Sequence, residues 1–275
     1  MTEFPSPPLT RLWVIGGTGE AVKLARALVN LQISCLVTVT TPAASQAYPC
    51  QPGLQVRVGA LALDTLPGFI QEQGIGAILD ASHPFALEIT KGAIATAQQL
   101  QIPYWRYERP TPCLPPHPLV QQVADLNQVL RADLLAQQRV LLTLGYRWLS
   151  AFQPWQQQST LFARILPSPT ALAAALAAGF TPDRLIALRP PVSVALELAL
   201  WQDWQITRVI TKASGQAGGE ATKQIVAQRL GIPLLIIRRP AITYPFVSQD
   251  LERLVSISHQ WWVSQNFSVN LELIR

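Results

Sequence analysis

The sequence predicts an α/β protein made of two Rossmann-like lobes, each a doubly wound parallel sheet, with a ligand cleft shared between them. Three observations predict it. Short apolar runs recur at intervals of 21 to 26 residues, the length of one βα unit. Amphipathic patterns fill the intervals, as at Ala21, Leu24, Ala25 and Leu28, with apolar positions spaced for one face of a helix. A proline-rich break then interrupts the rhythm, which restarts beyond it.

The first set of strand-like runs begins near Arg11, Ile33, Leu54, Ala77 and Pro103. The second begins near Arg139, Thr160, Arg184, Arg208 and Pro233. Their continuous apolar character suits parallel strands covered on both faces. Between the sets, Pro110 to Pro118 holds five prolines in nine residues, which neither a helix nor a central strand accepts. The expected organisation is a first lobe over 1–110, a linker over 111–118 and a second lobe over 119–275. A last helical pattern, Gln249 to Val263, is expected to pack back onto a lobe.

Composition narrows the function. The 275 residues are 49% hydrophobic, enough for sizeable cores, and carry a formal charge of +5. The basic residues are scattered singly, which argues against a nucleic-acid groove and suits an anionic small ligand. Cys35, Cys50 and Cys113 lie far apart without CxxC spacing, so neither a disulfide framework nor a metal site is expected. Met1 to Thr10 lacks the basic and apolar regions of a secretory signal, and the apolar runs are too broken for a membrane span. A cytoplasmic location is the expectation.

In open α/β sheets, ligands sit beyond the carboxyl ends of the strands. The first strand is followed by Gly16-Gly17-Thr18-Gly19-Glu20, where consecutive N–H groups at a helix start can surround a phosphate. The fingerprint is partial, because Val22 stands where a third glycine belongs. The second strand ends in Thr38-Val39-Thr40-Thr41, without the carboxylate that would bond an NAD ribose. This favours NADPH over NADH. Ser82 and His83 follow the fourth strand, and Arg106 and Arg109 lie at and after the fifth.

In the second half, strand ends carry Thr143 and Gly145, Arg164, Ser193, and Lys212 with Ser214 and Gly215. Lys212 and the glycine-rich loop after it would again favour an anion, although the spacing is not that of a Walker A loop. His83 and Lys212 are candidate proton donors. Each of these residues also has a plainer reading. The first turn serves a tight βα connection, His83 a structural histidine, either arginine a local pair with Glu108, and the eight tryptophans packing.

Taken in order, GGTGE (16–20), SHPFA (82–86), RYERP (106–110), TLG (143–145), RILP (164–167), TKASG (211–215), GGEATK (218–223) and GIPLLIIRRP (231–240) resemble the precorrin-6A reductase family. The resemblance includes its cobalt-precorrin-6A counterpart and spans residues 11 to 240. It implies hydride transfer from NADPH to one carbon–carbon double bond of a carboxylate-rich tetrapyrrole, giving precorrin-6B in cobalamin biosynthesis. It departs at Ala213, where the family favours a polar residue, and at Arg189-Pro190-Pro191-Val192-Ser193, which lacks a glycine and an aromatic ring.

The resulting expectation places the cofactor at Gly16, Gly17, Thr18, Gly19, Glu20, Thr40, Thr41, Ser82 and His83. The substrate falls to Arg106, Arg109, Thr143, Gly145, Arg164, Ser193, Lys212, Ser214 and Gly215. The protein is expected as a monomer or weak homo-oligomer, without nucleic-acid or membrane partners. The competing readings are a non-catalytic NADPH-sensing module and another Rossmann-type NADPH oxidoreductase. A short-chain oxidoreductase would show Tyr-x-x-x-Lys, and no tyrosine here is followed by lysine at that spacing.

Overall fold

The computed structural model describes residues 10–113 and 115–272, so the expectations for Met1 to Leu9 and for Leu114 lie outside the described residues. The chain divides into two compact units. One comprises the chain up to Glu108 together with the stretch from Ala241, and the other spans Arg109–Pro240.

In the first unit, β1 (Arg11–Ile15), α1 (Gly19–Asn30), β2 (Cys35–Val39), α2 (Pro42–Ser45) and β3 (Leu54–Val58) come first. They are followed by α3 (Leu66–Glu72), β4 (Ile75–Asp80), α4 (Leu87–Leu100) and β5 (Tyr104–Tyr107). The second unit carries β6 (Val120–Val123), α5 (Ala132–Leu135), β7 (Arg139–Thr143), a 3₁₀ stretch (Tyr146–Trp155) and β8 (Thr160–Ile165). It continues with α6 (Pro169–Ala177), β9 (Leu185–Ala187), α7 (Val194–Asp203), β10 (Arg208–Lys212), α8 (Glu220–Leu230) and β11 (Leu234–Ile237). The chain then supplies β12 (Val247–Ser248) and α9 (Leu251–Glu272).

Each unit contains one six-stranded sheet, ordered β12-β5-β4-β1-β2-β3 in the first and β6-β11-β10-β7-β8-β9 in the second. All the pairings are parallel. Leaving out β12 and β6, the two orders are the same doubly wound plan. The chain winds outward from a central strand, then crosses to the other side of it, so the switch points lie between β1 and β4 and between β7 and β10.

The central strands are sealed on both faces: all of Cys35–Val39 and all of Ile75–Asp80 are buried. One face of the first sheet packs Leu12, Val14, Val37 and Leu79 against Leu24 and Leu28 of α1 and Leu254 of α9. The other packs Trp13, Leu36 and Ile78 against Leu66, Phe69 and Ala93 of α3 and α4. Helix starts are signalled locally. Thr18, Ser168 and Ser193 each accept a backbone N–H at the head of α1, α6 and α7.

The structure corrects the expected boundaries. The stretch after Pro240, assigned from sequence to the second lobe, belongs to the first unit: β12 pairs with β5, and Leu254 joins the core under α1. Both sixth strands escape the periodicity. β6 reads Val-Gln-Gln-Val and β12 has two residues, so each is a short edge strand without a continuous apolar run.

Candidate functional site

In the first unit the turn after β1 meets the end of β4 at the switch point. Gly17 has φ +94°, a left-handed conformation that favours glycine, and side chains placed at Gly17 or Gly19 would meet nothing within 4 Å. Open space therefore lies over the N-terminus of α1, where an anion is stabilised by orphan N–H groups and the helix dipole. Thr18 spends both capacities of its hydroxyl on structure. Its Oγ1 accepts from Ala21 N at 3.1 Å and donates to Ala81 O at 2.7 Å, tying the turn to the end of β4. Glu20 lies in the first turn of α1. Thr40 and Thr41 follow β2 on the surface, and Thr41 caps α2.

Gly16 is held to glycine by a residue the sequence did not single out. A Cβ there would lie 2.4 Å from the Tyr48 hydroxyl and 2.9 Å from Val37 Cγ1. The same hydroxyl accepts the Gly17 N–H at 3.1 Å.

Beneath Ser82 and His83 lies a buried ionic network. The Asp80 carboxylate, 0% exposed, accepts Arg106 Nη1 (2.8 Å), Ser82 N (2.9 Å), Thr90 Oγ1 (2.7 Å) and Tyr104 Oη (2.7 Å). Arg106 also donates to Ser82 Oγ (3.1 Å) and to Glu108 Oε2 (3.2 Å). Burial in company with this carboxylate pushes the Tyr104 phenol far above its ordinary range. Arg106 is 1% exposed, so the substrate contact expected of it is corrected: it supports the Ser82–His83 turn from inside. The outward reading of its forked head failed because Asp80, 26 residues away, is its partner.

His83 is partly exposed, and its Nδ1 accepts the Phe85 N–H at 3.2 Å. Nδ1 is therefore engaged as an acceptor, which leaves Nε2 as the ring nitrogen that can donate.

In the second unit, the Thr143 and Thr211 hydroxyls bond at 2.8 Å across the β7–β10 switch point. Gly145 turns the chain with φ +79° into the 3₁₀ stretch that carries Trp148. Lys212 ends β10, and its Nζ lies 3.7 Å from the centre of the Trp148 ring. Burial, reinforced by the Arg147 charge, lowers the Lys212 ammonium to a pKa of about 8.

The glycine-rich loop after Lys212 fills itself. The Gly215 N–H donates to Glu220 Oε2 at 2.9 Å, and Lys223 Nζ donates to Gly218 O at 2.6 Å. A Cβ at Gly218 would lie 2.3 Å from Ser214 Cβ, so the loop is closed against its own chain. The anion-binding role expected of Gly215 is thus met internally by a carboxylate. Ser214 Oγ donates to Lys212 O (3.2 Å), and Ser214 O accepts Arg109 Nη1 (3.2 Å), which fastens Arg109 to this loop. Arg164, 6% exposed, is bonded to Glu197 of α7, which also accepts Trp201 Nε1 at 2.9 Å. Its expected substrate contact is corrected to a core ion pair. Ser193 caps α7 from the surface.

Two parallel sheets wound on one plan, with polar groups gathered at both switch points, define a doubly wound, Rossmann-like α/β protein. The profile of the precorrin-6x reductase family CbiJ/CobK matches residues 11–259, and the chain belongs to this family of oxidoreductases, which reduce precorrin-6A in cobalamin biosynthesis. It is 49% identical to the cobalt-precorrin-6A reductase of Synechocystis over 249 residues, covering 90% of this chain and 95% of that one. It is 34% identical to the precorrin-6A reductase of Rhodococcus erythropolis over 238 residues, 85% of this chain and 91% of that one. The solved structure of a CobK precorrin-6A reductase superposes with a TM-score of 0.72 at 27% identity, covering 93% of this chain and 97% of that one.

Among the described residues, no helix is long and apolar enough to cross a membrane.

Proposed function

We propose that this chain reduces one carbon–carbon double bond of precorrin-6A in its cobalt-bearing form, with NADPH as the reductant. The observation that carries the cofactor assignment is the turn Gly17-Thr18-Gly19. It is open above both glycines, anchored to Ala81, and adjoins a β2 end without a carboxylate. A carboxylate there would repel a 2′-phosphate, whereas the hydroxyls of Thr40 and Thr41 do not. The 49% identical relative is named for cobalt-precorrin-6A, which favours that form over the metal-free ring.

The turn Gly16–Glu20 would hold the diphosphate, and Ser82 and His83 would border the cofactor at the end of β4. When bound, NADPH supplies a hydride, and the protein's task is orientation, exclusion of water and delivery of a proton. His83, with Nδ1 engaged by the Phe85 N–H, is suited to hydrogen bonding through Nε2. Lys212 holds a proton on Nζ that it gives up near pH 8, which makes it the better donor. Thr143, Gly145 and Arg109 lie on the same unit as Lys212 and would receive the acidic ring.

Mixing the purified protein with precorrin-6A or cobalt-precorrin-6A and following NADPH absorbance tests this reading. NADPH oxidation should depend on the macrocycle and exceed NADH oxidation by at least about tenfold, the ratio that ~1.4 kcal/mol of differential stabilisation gives. Tight NADPH binding without oxidation by either macrocycle would favour the sensing module.

A further inference from the structure

We infer that Tyr48 determines cofactor specificity, donating its phenolic proton to the 2′-phosphate of NADPH. This rests on the proposal that NADPH binds at the Gly16–Glu20 turn, and it names the group that would take over from the missing carboxylate of β2.

Four features converge on this residue. Tyr48 lies three residues beyond α2, in the connection that leaves the carboxyl end of β2, the region that contacts the adenosine ribose in doubly wound sheets. Its side chain is 8% exposed and belongs to the core cluster beneath α1, so the ring has little freedom to swing away. Its hydroxyl lies against the turn, accepting the Gly17 N–H at 3.1 Å and excluding any side chain from Gly16. The phenol is also neutral, because burial raises its pKa and outweighs the opposing effect of the Gly17 hydrogen bond.

A neutral phenol that accepts one hydrogen bond still has a proton to give. Among the described residues, the Gly17 N–H is the one hydrogen-bond partner of this hydroxyl, and it is a donor. The hydroxyl is part-buried against the turn, so its donor is held in place yet within reach of a ligand that can accept from it. Thr41 is committed to capping α2, and Thr40 projects from the surface, so neither shows the same enclosed geometry. The residue required here is a donor without charge of its own, packed rigidly against the phosphate turn.

The test is equilibrium binding to native protein and to Tyr48→Phe, with NADPH, NADH and 2′,5′-ADP as probes. Tyr48→Phe keeps the ring and its packing, and thermal unfolding checks that the variant is folded. NADPH and 2′,5′-ADP are expected to bind about tenfold more weakly, with NADH changed by less than about twofold, as loss of one charge-assisted hydrogen bond predicts. Equal weakening of NADPH and NADH would overturn the inference in favour of a contact to the shared diphosphate. Unchanged affinities in a folded variant would overturn it in favour of packing alone. Native protein that binds neither dinucleotide would refute the cofactor proposal itself, a result distinct from both.

Discussion

The Lys212 ammonium lies 3.7 Å from the centre of the Trp148 ring, and this pair joins the carboxyl end of β10 to the 3₁₀ stretch that follows β7. The indole face favours the charged form of the lysine, while burial and Arg147 oppose it. The balance leaves an acid matched to neutral solution.

If Lys212 delivers the proton, turnover should decline as pH rises through about 8, where the ammonium is lost. Lys212→Met should lower kcat by roughly 100-fold, the scale of one general acid, while the NADPH dissociation constant stays within about twofold. A steady-state pH profile with parallel binding measurements checks this. An unchanged alkaline limb in Lys212→Met would remove the lysine from the proton path.

Replacing Trp148 should act through that lysine. A cation–π contact is worth about 0.5–2 kcal/mol, and about 1.4 kcal/mol corresponds to one pKa unit. Trp148→Leu should therefore move the alkaline limb of kcat down by about 0.4 to 1.5 pH units, with Trp148→Phe in between. A drop in kcat without movement of the limb would mean that Trp148 only packs.

Lys223 gives a prediction about stability. The side chain is 2% exposed and is lowered to a pKa of about 7, first by burial and then by Arg164, against the opposing pull of Glu197 and Glu220. Because its folded pKa lies below the ordinary 10.5, the unfolded chain binds the extra proton between these values. Stability should therefore rise with pH from about 7 towards 10 and carry the full cost of the buried charge below that window. Denaturant midpoints measured across pH should show this slope in the native chain and a shallower one in Lys223→Met. Parallel slopes would show that Lys223 titrates as an ordinary lysine.

Asp80→Ala should be the most damaging of these changes. It strands the Arg106 guanidinium with Glu108 as its remaining acidic partner and removes the acceptor for Ser82 N, Thr90 and Tyr104. Breaking a buried pair in this way costs about 3–5 kcal/mol. Asp80→Asn, which retains an oxygen acceptor, should lose less. Urea unfolding of both variants compares them, and equal losses would argue against the hydrogen-bond account.

The sequence by itself determined the ten-strand rhythm, the parallel character of the sheets and the position of the glycine turn between β1 and α1. These are local properties: strand burial is written as continuous apolar runs, the starts of α1, α6 and α7 as Ser or Thr caps, and the turn after β1 as glycine. The ordered motifs also carried the family, which the match over residues 11–259 establishes.

Tertiary structure alone decided which polar groups face inward and which elements complete each unit. Arg106 and Arg164 have the composition of ligand-binding residues, yet each is taken by a carboxylate, 26 residues away at Asp80 and 33 away at Glu197. Gly215 reads as part of an anion loop until Glu220 is seen to occupy it. Tyr48 carries no motif and gains its meaning from Gly17, 31 residues earlier. The two edge strands and the return of α9 to the first unit depend likewise on pairing between distant segments. Periodicity and glycine act within one βα unit, but a charge or hydroxyl is satisfied by whatever partner the fold brings to it, and that partner is not encoded nearby.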